Sequence, residues 1–218
     1  MTNKMENQEF LKEYHKKRNF DVSSEPFGKN KNKKDKEIFI IQKHQASHLH
    51  YDFRLAVDGV LKSWAVPKGP STDPDEKRLA IPTEDHPMEY ADFEGVIPEG
   101  QYGGGIVMLW DAGTYKNTRK DDNGKLIPMK DQIEKGHITF ELEGKKLKGG
   151  FSLIRFQKGK DEKWLLKKVN DENADARKNL TGTEDKSVLT GRTMDQIKKD
   201  SDKKPGEVLP RRKNIENR

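Results

Sequence analysis

Cysteine is missing altogether from this 218-residue chain. That excludes disulfides, thiolate metal sites and cysteine nucleophiles at once, and it suits a reducing compartment. Apolar residues are also sparse, 31% against 37% charged, so part of the chain is expected to lie outside any core. No apolar run approaches the roughly 20 residues of a membrane span, and Met1-Thr2-Asn3-Lys4 lacks the apolar centre of a signal peptide. The glycine-rich stretch 95–105 has neither the Lys-Ser/Thr of a P-loop nor a GxGxxG order, so tight turns are expected there rather than nucleotide binding. No Lys-x-Asp-Gly nucleotidyl-transfer motif occurs. A soluble, cytoplasmic, monomeric protein without membrane contact is expected.

Charge is what the chain has in quantity. Its 43 Lys and Arg against 37 Asp and Glu give a net charge of +6. The excess is concentrated in Lys29, Lys31, Lys33, Lys34 and Lys36, and again in Arg211-Arg212-Lys213. Such clusters attract phosphate backbones through counterion release, although each alone is equally a solvated, solubilising run.

Residues 48–55 read His48-Leu49-His50-Tyr51-Asp52-Phe53-Arg54-Leu55. On an extended strand Leu49, Tyr51, Phe53 and Leu55 would enter a core, while His48, His50, Asp52 and Arg54 share the opposite face. Residues two apart have Cα atoms roughly 6.5 to 7 Å apart and metal–nitrogen bonds are about 2.1 Å, so His50 and Asp52 can lean onto one cation. Arg54 stands one step further on, placed for an anionic ligand. Gln42 and His44 have the same parity, and the apolar run 38–41 starts a strand predicted from near Glu37 to Val57, unless a bulge or break intervenes at Gln45-Ala46-Ser47. An amphipathic strand with one wet face is ordinary, but three histidines with Asp and Arg on that face are not its usual composition. The donor set suits Mn, Fe, Zn or Co. Two chemistries compete: an Fe(II) oxygen site in a cupin-like barrel, or a cation that neutralises a phosphoryl oxygen. Arg54, Lys68, Arg78 and His86, all able to bind phosphate oxygens, favour the second.

Along the chain, a short amphipathic helix is predicted over 7–18, with Phe10, Leu11 and Tyr14 on one side, followed by a lysine-rich loop over 29–36. Asp58-Gly59 between apolar runs predicts a hairpin that returns 60–66 against 50–57. Further strands are predicted at 78–81, 106–110, 137–142, 150–157 and 163–169. The spacing predicts an all-β chain folded as a single antiparallel barrel or sandwich. From Asn170 the composition suits a mobile linker, and Thr193-Met194-Asp195-Gln196 is a capping-box pattern for a helix through Lys199. The organisation expected is a helix and basic loop over 1–36, the β domain over 37–169, and a largely flexible, basic C-terminal extension over 170–218.

Longer motifs add a resemblance. Gln-Lys-His-x-x-Ser-His-Leu-His-Tyr-Asp-Phe-Arg-Leu (42–55), Asp-Gly-Val-Leu-Lys-Ser-Trp-Ala-Val-Pro-Lys-Gly-Pro (58–70), Glu-Asp-His-Pro (84–87) and Phe-Glu-Gly-Val-Ile-Pro-Glu-Gly-Gln-Tyr-Gly (93–103) are similar to the phosphoesterase module of bacterial DNA ligase D and its stand-alone relatives. The likeness runs from about Leu11 to Val169, and 187–197 resembles that family's C-terminal extension. The resemblance implies a Mn2+-dependent β-barrel enzyme that heals 3′ ends of DNA or DNA–RNA primer-templates in non-homologous end joining. It would remove a 3′-terminal ribonucleoside to leave a 3′-phosphate, then hydrolyse that phosphate to a 3′-hydroxyl. By motif, His44, His50 and Asp52 would hold the metal, and Arg54 and His86 the scissile phosphate. Gln42, Lys68, Arg78, Glu84 and Tyr90 would complete the site. Arg18 and Glu25 would assist the ribonuclease step, in a segment that reads Lys17-Arg18-Asn19-Phe20 with Asn19 where the family often has Asp. His48 shares the ligand face but is not assigned to metal. Water would be the nucleophile, and joining and synthesis would fall to separate ligase and polymerase partners. The alternative is a non-catalytic DNA-end or repair-complex binding module.

Overall fold

A computed structural model describes residues 9–28 and 37–203. Ten strands form one antiparallel sheet: β1 Ile38–Gln45, β2 Leu49–Val57, β3 Val60–Val66, β4 Arg78–Pro82, β5 His86–Pro87, β6 Gly95–Ile97, β7 Gly105–Asn117, β8 His137–Gly144, β9 Lys148–Gln157 and β10 Lys163–Lys168. The order β1-β2-β3-β4-β10-β9-β8-β7 closes because β1 also pairs with β7, giving an eight-stranded barrel. β5 and β6 are the two extra strands, paired with β3 and β7. The antiparallel barrel expected from the sequence is the fold observed. Asp58 and Gly59 both have positive φ, 52° and 78°, the conformation that a two-residue hairpin of this hand needs. Tyr51 opposes Val66 and Val57 opposes Val60 across it.

Alternation along the strands sorts side chains onto two walls. Phe39, Ile41, Phe53, Leu55, Trp64, Trp110, Phe140, Phe151 and Trp164 fill the barrel interior. Ile40, Leu61 and Leu109 face outward into a second apolar cluster, where Leu11, Tyr14, Met88, Tyr90 and Phe93 cover them. These covering residues come from α1 (Lys12–Lys16) with its flanking turns and from a 3-10 turn, Met88–Asp92. The outer wall at Gln42, His44, Asp52 and Arg54 is therefore buried rather than wet.

The strand expected over 37–57 is broken where a break was allowed for, near Gln45-Ala46-Ser47, and its two halves form a hairpin. The chain reverses at Ala46-Ser47-His48, yet every even residue of β1 opposes an even residue of β2: His44 against His50, Gln42 against Asp52, Ile40 against Arg54. Directly opposed residues share a face, so the break leaves the parity reading intact and brings His44 and His50 together. It also removes two residues from their expected places. His48 is exposed in the turn, and Leu49, expected in the core, is 41% exposed because it pairs with exposed Gln45 at the barrel rim.

Beyond the barrel, α2 (Met129–Lys135) caps one end of β8, a helix that the sequence reading did not anticipate. The polar stretch after Asn170 lies along the barrel as far as it is described. Asp175 N–H donates to the Thr72 carbonyl at 2.9 Å, Trp110 Nε1 donates to the Glu184 carbonyl at 2.7 Å, and Val188 N–H donates to the Leu109 carbonyl at 2.9 Å. Low apolar content there reflects attachment through hydrogen bonds, which composition alone reads as mobility. Short α3 (Leu180–Thr183) sits in this stretch, and α4 (Met194–Lys203) buries Ile197 in the barrel core. The capping box that starts α4 forms, with Thr193 N–H donating to Gln196 Oε1 at 2.9 Å and Gln196 N–H to Thr193 Oγ1 at 3.4 Å. The basic runs at 29–36 and 211–213 lie outside the described residues.

Candidate metal centre and phosphate pocket

His44 on β1 and His50 and Asp52 on β2 form a group whose donor atoms lie within 4.8 Å of one another. His44 Nδ1 is 3.6 Å from Asp52 Oδ2, and His50 Nε2 is 3.6 Å from Asp52 Oδ1. Donors bound to one cation at about 2.1 Å sit roughly 3 to 3.5 Å apart, so small side-chain adjustments seat a divalent ion. The remaining nitrogens are already committed: His44 Nε2 lies 2.9 Å from the Gly103 carbonyl and His50 Nδ1 3.0 Å from the His48 carbonyl. Each ring donates through that nitrogen, which fixes the tautomer and turns the other lone pair toward Asp52. Burial pushes the Asp52 carboxyl up, but Arg54 and the two imidazoles outweigh it and hold the pKa at about 2. Asp52 is thus a carboxylate at any pH the protein meets, and the three residues fit a divalent metal.

Backbone packing keeps this cluster in place. Gly105 opens β7 with φ of +145°, and a Cβ there would strike the Gln45 carbonyl oxygen next to His44. Gly105→Ala is expected to destabilise the fold by about 2 to 4 kcal/mol and to weaken divalent-ion binding. Chemical denaturation and calorimetry test this, and an unchanged midpoint would contradict so close an approach.

Asp52 links the cluster to a group of buried cationic side chains. Arg54 Nη2 donates to Asp52 Oδ2 at 3.1 Å, Nε to Gln42 Oε1 at 2.9 Å and Nη1 to Ser63 Oγ at 2.8 Å. Gln42 is itself held by the Phe93 carbonyl at 2.9 Å, so it fixes the guanidinium rather than facing a ligand. His86 sits between two guanidiniums, with Nδ1 2.9 Å from Arg54 Nη1 and Nε2 3.1 Å from Arg18 Nη2. The tautomer with Nδ1–H donating to the Glu84 carbonyl at 2.8 Å leaves Nε2 to accept from Arg18. Arg18 also donates to Glu25 Oε1 and to Glu84 Oε1, both at 2.8 Å, and Tyr90 Oη donates to Glu25 Oε1 at 3.1 Å. Arg18, Glu25, Glu84, His86, Tyr90, Arg54 and Gln42 therefore form one continuous network that ends on the metal cluster. Asn19 is exposed and its Oδ1 accepts from the Asp21 N–H, a turn contact only.

Burial lowers the His86 pKa first, and the Arg54 and Arg18 charges lower it further, to well below 6.5. An unfolded chain then binds a proton that the folded one refuses, so stability falls as pH drops through about 6.5. His86 in the metal-free protein is expected to remain neutral at pH 6. Imidazole NMR checks this, and a ring that titrates near 6.5 would show that the two guanidiniums do not crowd it.

Two expected residues stand apart. Lys68, exposed after β3, lies near Glu76, and Arg78 at the start of β4 donates to Glu76 Oε2 at 2.5 Å. Both are on the barrel end that carries the 46–48 turn, but no described contact joins them to the metal cluster. Sequence reading missed Lys17, Ser63, Tyr102 and the Gly103 carbonyl. Lys17 Nζ donates to Glu84 Oε2 at 3.0 Å and to Tyr102 Oη at 3.2 Å. Tyr102 and Gly103 close the motif over 93–103, and the turns of that glycine-rich stretch carry them onto the site.

Comparison with known proteins bears on this arrangement. A family described as the DNA Ligase D 3′-phosphoesterase domain matches residues 42–155, which include the metal cluster, Arg54, Glu84, His86 and Tyr90. The multifunctional non-homologous end joining protein LigD of Pseudomonas aeruginosa is 47% identical over 189 residues, 84% of this chain and 22% of that protein. The multifunctional non-homologous end joining DNA repair protein LigD of Mycobacterium tuberculosis is 44% identical over 138 residues, 63% of this chain and 17% of that protein. The chain thus spans about a fifth of the length of these relatives. Taken with the barrel and the cluster on its outer wall, the match means that this chain belongs to the DNA ligase D 3′-phosphoesterase domain family.

Proposed function

We propose that this chain is a Mn2+-dependent phosphoesterase that heals 3′ ends during DNA end joining, removing a 3′-terminal ribonucleoside and then the 3′-phosphate to leave a 3′-hydroxyl. The observation that carries this reading is the direct link from the His44, His50 and Asp52 cluster, through Asp52, to the Arg54–His86 pair. His44, His50 and Asp52 would hold a divalent cation, which would supply charge neutralisation at a phosphoryl oxygen. Arg54, held by Asp52, Gln42 and Ser63, binds a second oxygen with its orientation already fixed, so little reorganisation opposes the charge that builds in phosphoryl transfer. His86 accepts from Arg18 while neutral. A phosphate dianion beside it offsets the two guanidiniums, which favours proton uptake at His86 Nε2. Arg18, fixed by Glu25 and Glu84, and Tyr90 complete that side of the pocket. Lys68 and Arg78 meet phosphates further along the strand. Water is the nucleophile.

The protein works as a cytoplasmic monomer, with joining and synthesis supplied by separate ligase and polymerase activities. The test is to incubate a primer-template bearing a 3′-phosphate, and one bearing a single 3′-ribonucleoside, with the protein and Mn2+. Release of inorganic phosphate and of nucleoside is expected, each abolished by chelation. Binding of the ends without either product would replace the enzyme by a non-catalytic end-binding module.

A further inference from the structure

Around the pocket the contacts close a ring: Asp52 to Arg54, Arg54 to His86, His86 to Arg18, Arg18 to Glu84, Glu84 to Lys17 and Tyr102, and from neighbouring Gly103 back to His44. Tyr14 and Tyr90, the other tyrosines in contact with Arg18 or Arg54, are buried, whereas Tyr102 is 48% exposed. Two cations lie over its ring, Lys17 Nζ 4.7 Å and the Arg18 guanidinium carbon 5.6 Å from the centroid. Arg18 in turn touches His86, which puts the Tyr102 ring within about 10 Å of His86 Nε2. That is a distance one nucleoside can bridge.

We propose that Tyr102 positions the 3′-terminal nucleoside that leaves: its ring stacks on the terminal base, while Lys17, its side chain 33% exposed, meets the sugar hydroxyls. The inference rests on the phosphoesterase reading given above. Only the last base of a strand has a face free for a side chain, and any base presents a π-face, so this contact tolerates every base. Only the last sugar carries a free 3′-hydroxyl, joined by a 2′-hydroxyl when it is ribose. Glu84, its side chain 4% exposed and accepting from Arg18 and Lys17, holds Lys17 toward these groups. Lys17 offers a donor. Once the nucleoside has left, a 3′-phosphate end has nothing to place on the tyrosine.

The experiment compares Tyr102→Ala and Tyr102→Phe with the natural protein on three Mn2+-loaded reactions: a 3′-ribonucleoside end, the same end with an abasic terminal ribose, and a 3′-phosphate end. Tyr102→Ala is expected to lower kcat/KM on the ribonucleoside end by about 10- to 100-fold. Tyr102→Phe, which keeps the ring, should stay close to the natural protein. The abasic end should be poor for all three proteins, and phosphate release should be unchanged, which also shows that the variants fold. Equal losses in both variants, or equal losses on ribonucleoside and phosphate ends, would overturn the stacking role, as would no loss at all. A natural protein that releases phosphate but never nucleoside would overturn it too, leaving the phosphatase reading intact. A natural protein inactive on every end would instead sink the enzymatic reading itself.

Discussion

Replacing His50 with alanine is expected to lower Mn2+-dependent phosphate release at least about a thousandfold, because the lost donor is one of three and nothing beside it can take its place. His50 is the most accessible of the three, with its side chain 22% exposed, and beyond Asp52 it meets the His48 carbonyl and the His44 ring, 4.7 Å between centroids. Truncation should therefore leave the thermal midpoint almost unmoved while divalent-ion binding, followed by calorimetry, weakens by more than tenfold. Asp52→Ala should be equally inactive but less stable, since it strips the buried Arg54 guanidinium of its carboxylate partner. Appreciable metal-dependent turnover in either variant would remove His50 and Asp52 from the ligand set.

The second large effect separates binding of metal from handling of phosphate. His86→Ala should bind Mn2+ as the natural protein does, because no contact joins its ring to His44, His50 or Asp52 directly, yet phosphate release should fall by about 100- to 1000-fold. Retained phosphate release with intact metal binding would overturn the phosphate role. The variant should tolerate acid better than the natural protein. It lacks the imidazole that Arg18 and Arg54 keep unprotonated.

The metal triad was legible in the sequence because strand parity is a local property. The reversal kept that parity because its register pairs even residues with even ones, Gln42 with Asp52 and His44 with His50; a loop one residue longer would have split the face. Leu49 and His48 were misplaced because both depend on where the reversal falls and Gln45-Ala46-Ser47-His48 contains no glycine or proline to mark it. The Asp58-Gly59 hairpin was fully marked. Lys17 and Tyr102 were invisible for a different reason: they reach the pocket from segments 85 residues apart, and no local pattern encodes such a meeting. The path of residues 170–203 along the barrel was not legible, because much of its attachment runs through main-chain groups, which every residue possesses whatever its side chain.

The two walls of the barrel have a practical consequence. Phe53 points inward between Asp52 and Arg54, which point outward, so a single strand carries packing and chemistry on alternate residues. Volume-conserving exchanges at Phe53, Phe140 or Trp164 redesign the lumen for heat tolerance while leaving every group that would meet a nucleic acid terminus untouched. Durability and turnover should then vary independently, a separation that is hard to obtain in proteins whose catalytic groups line the same cavity that holds them together.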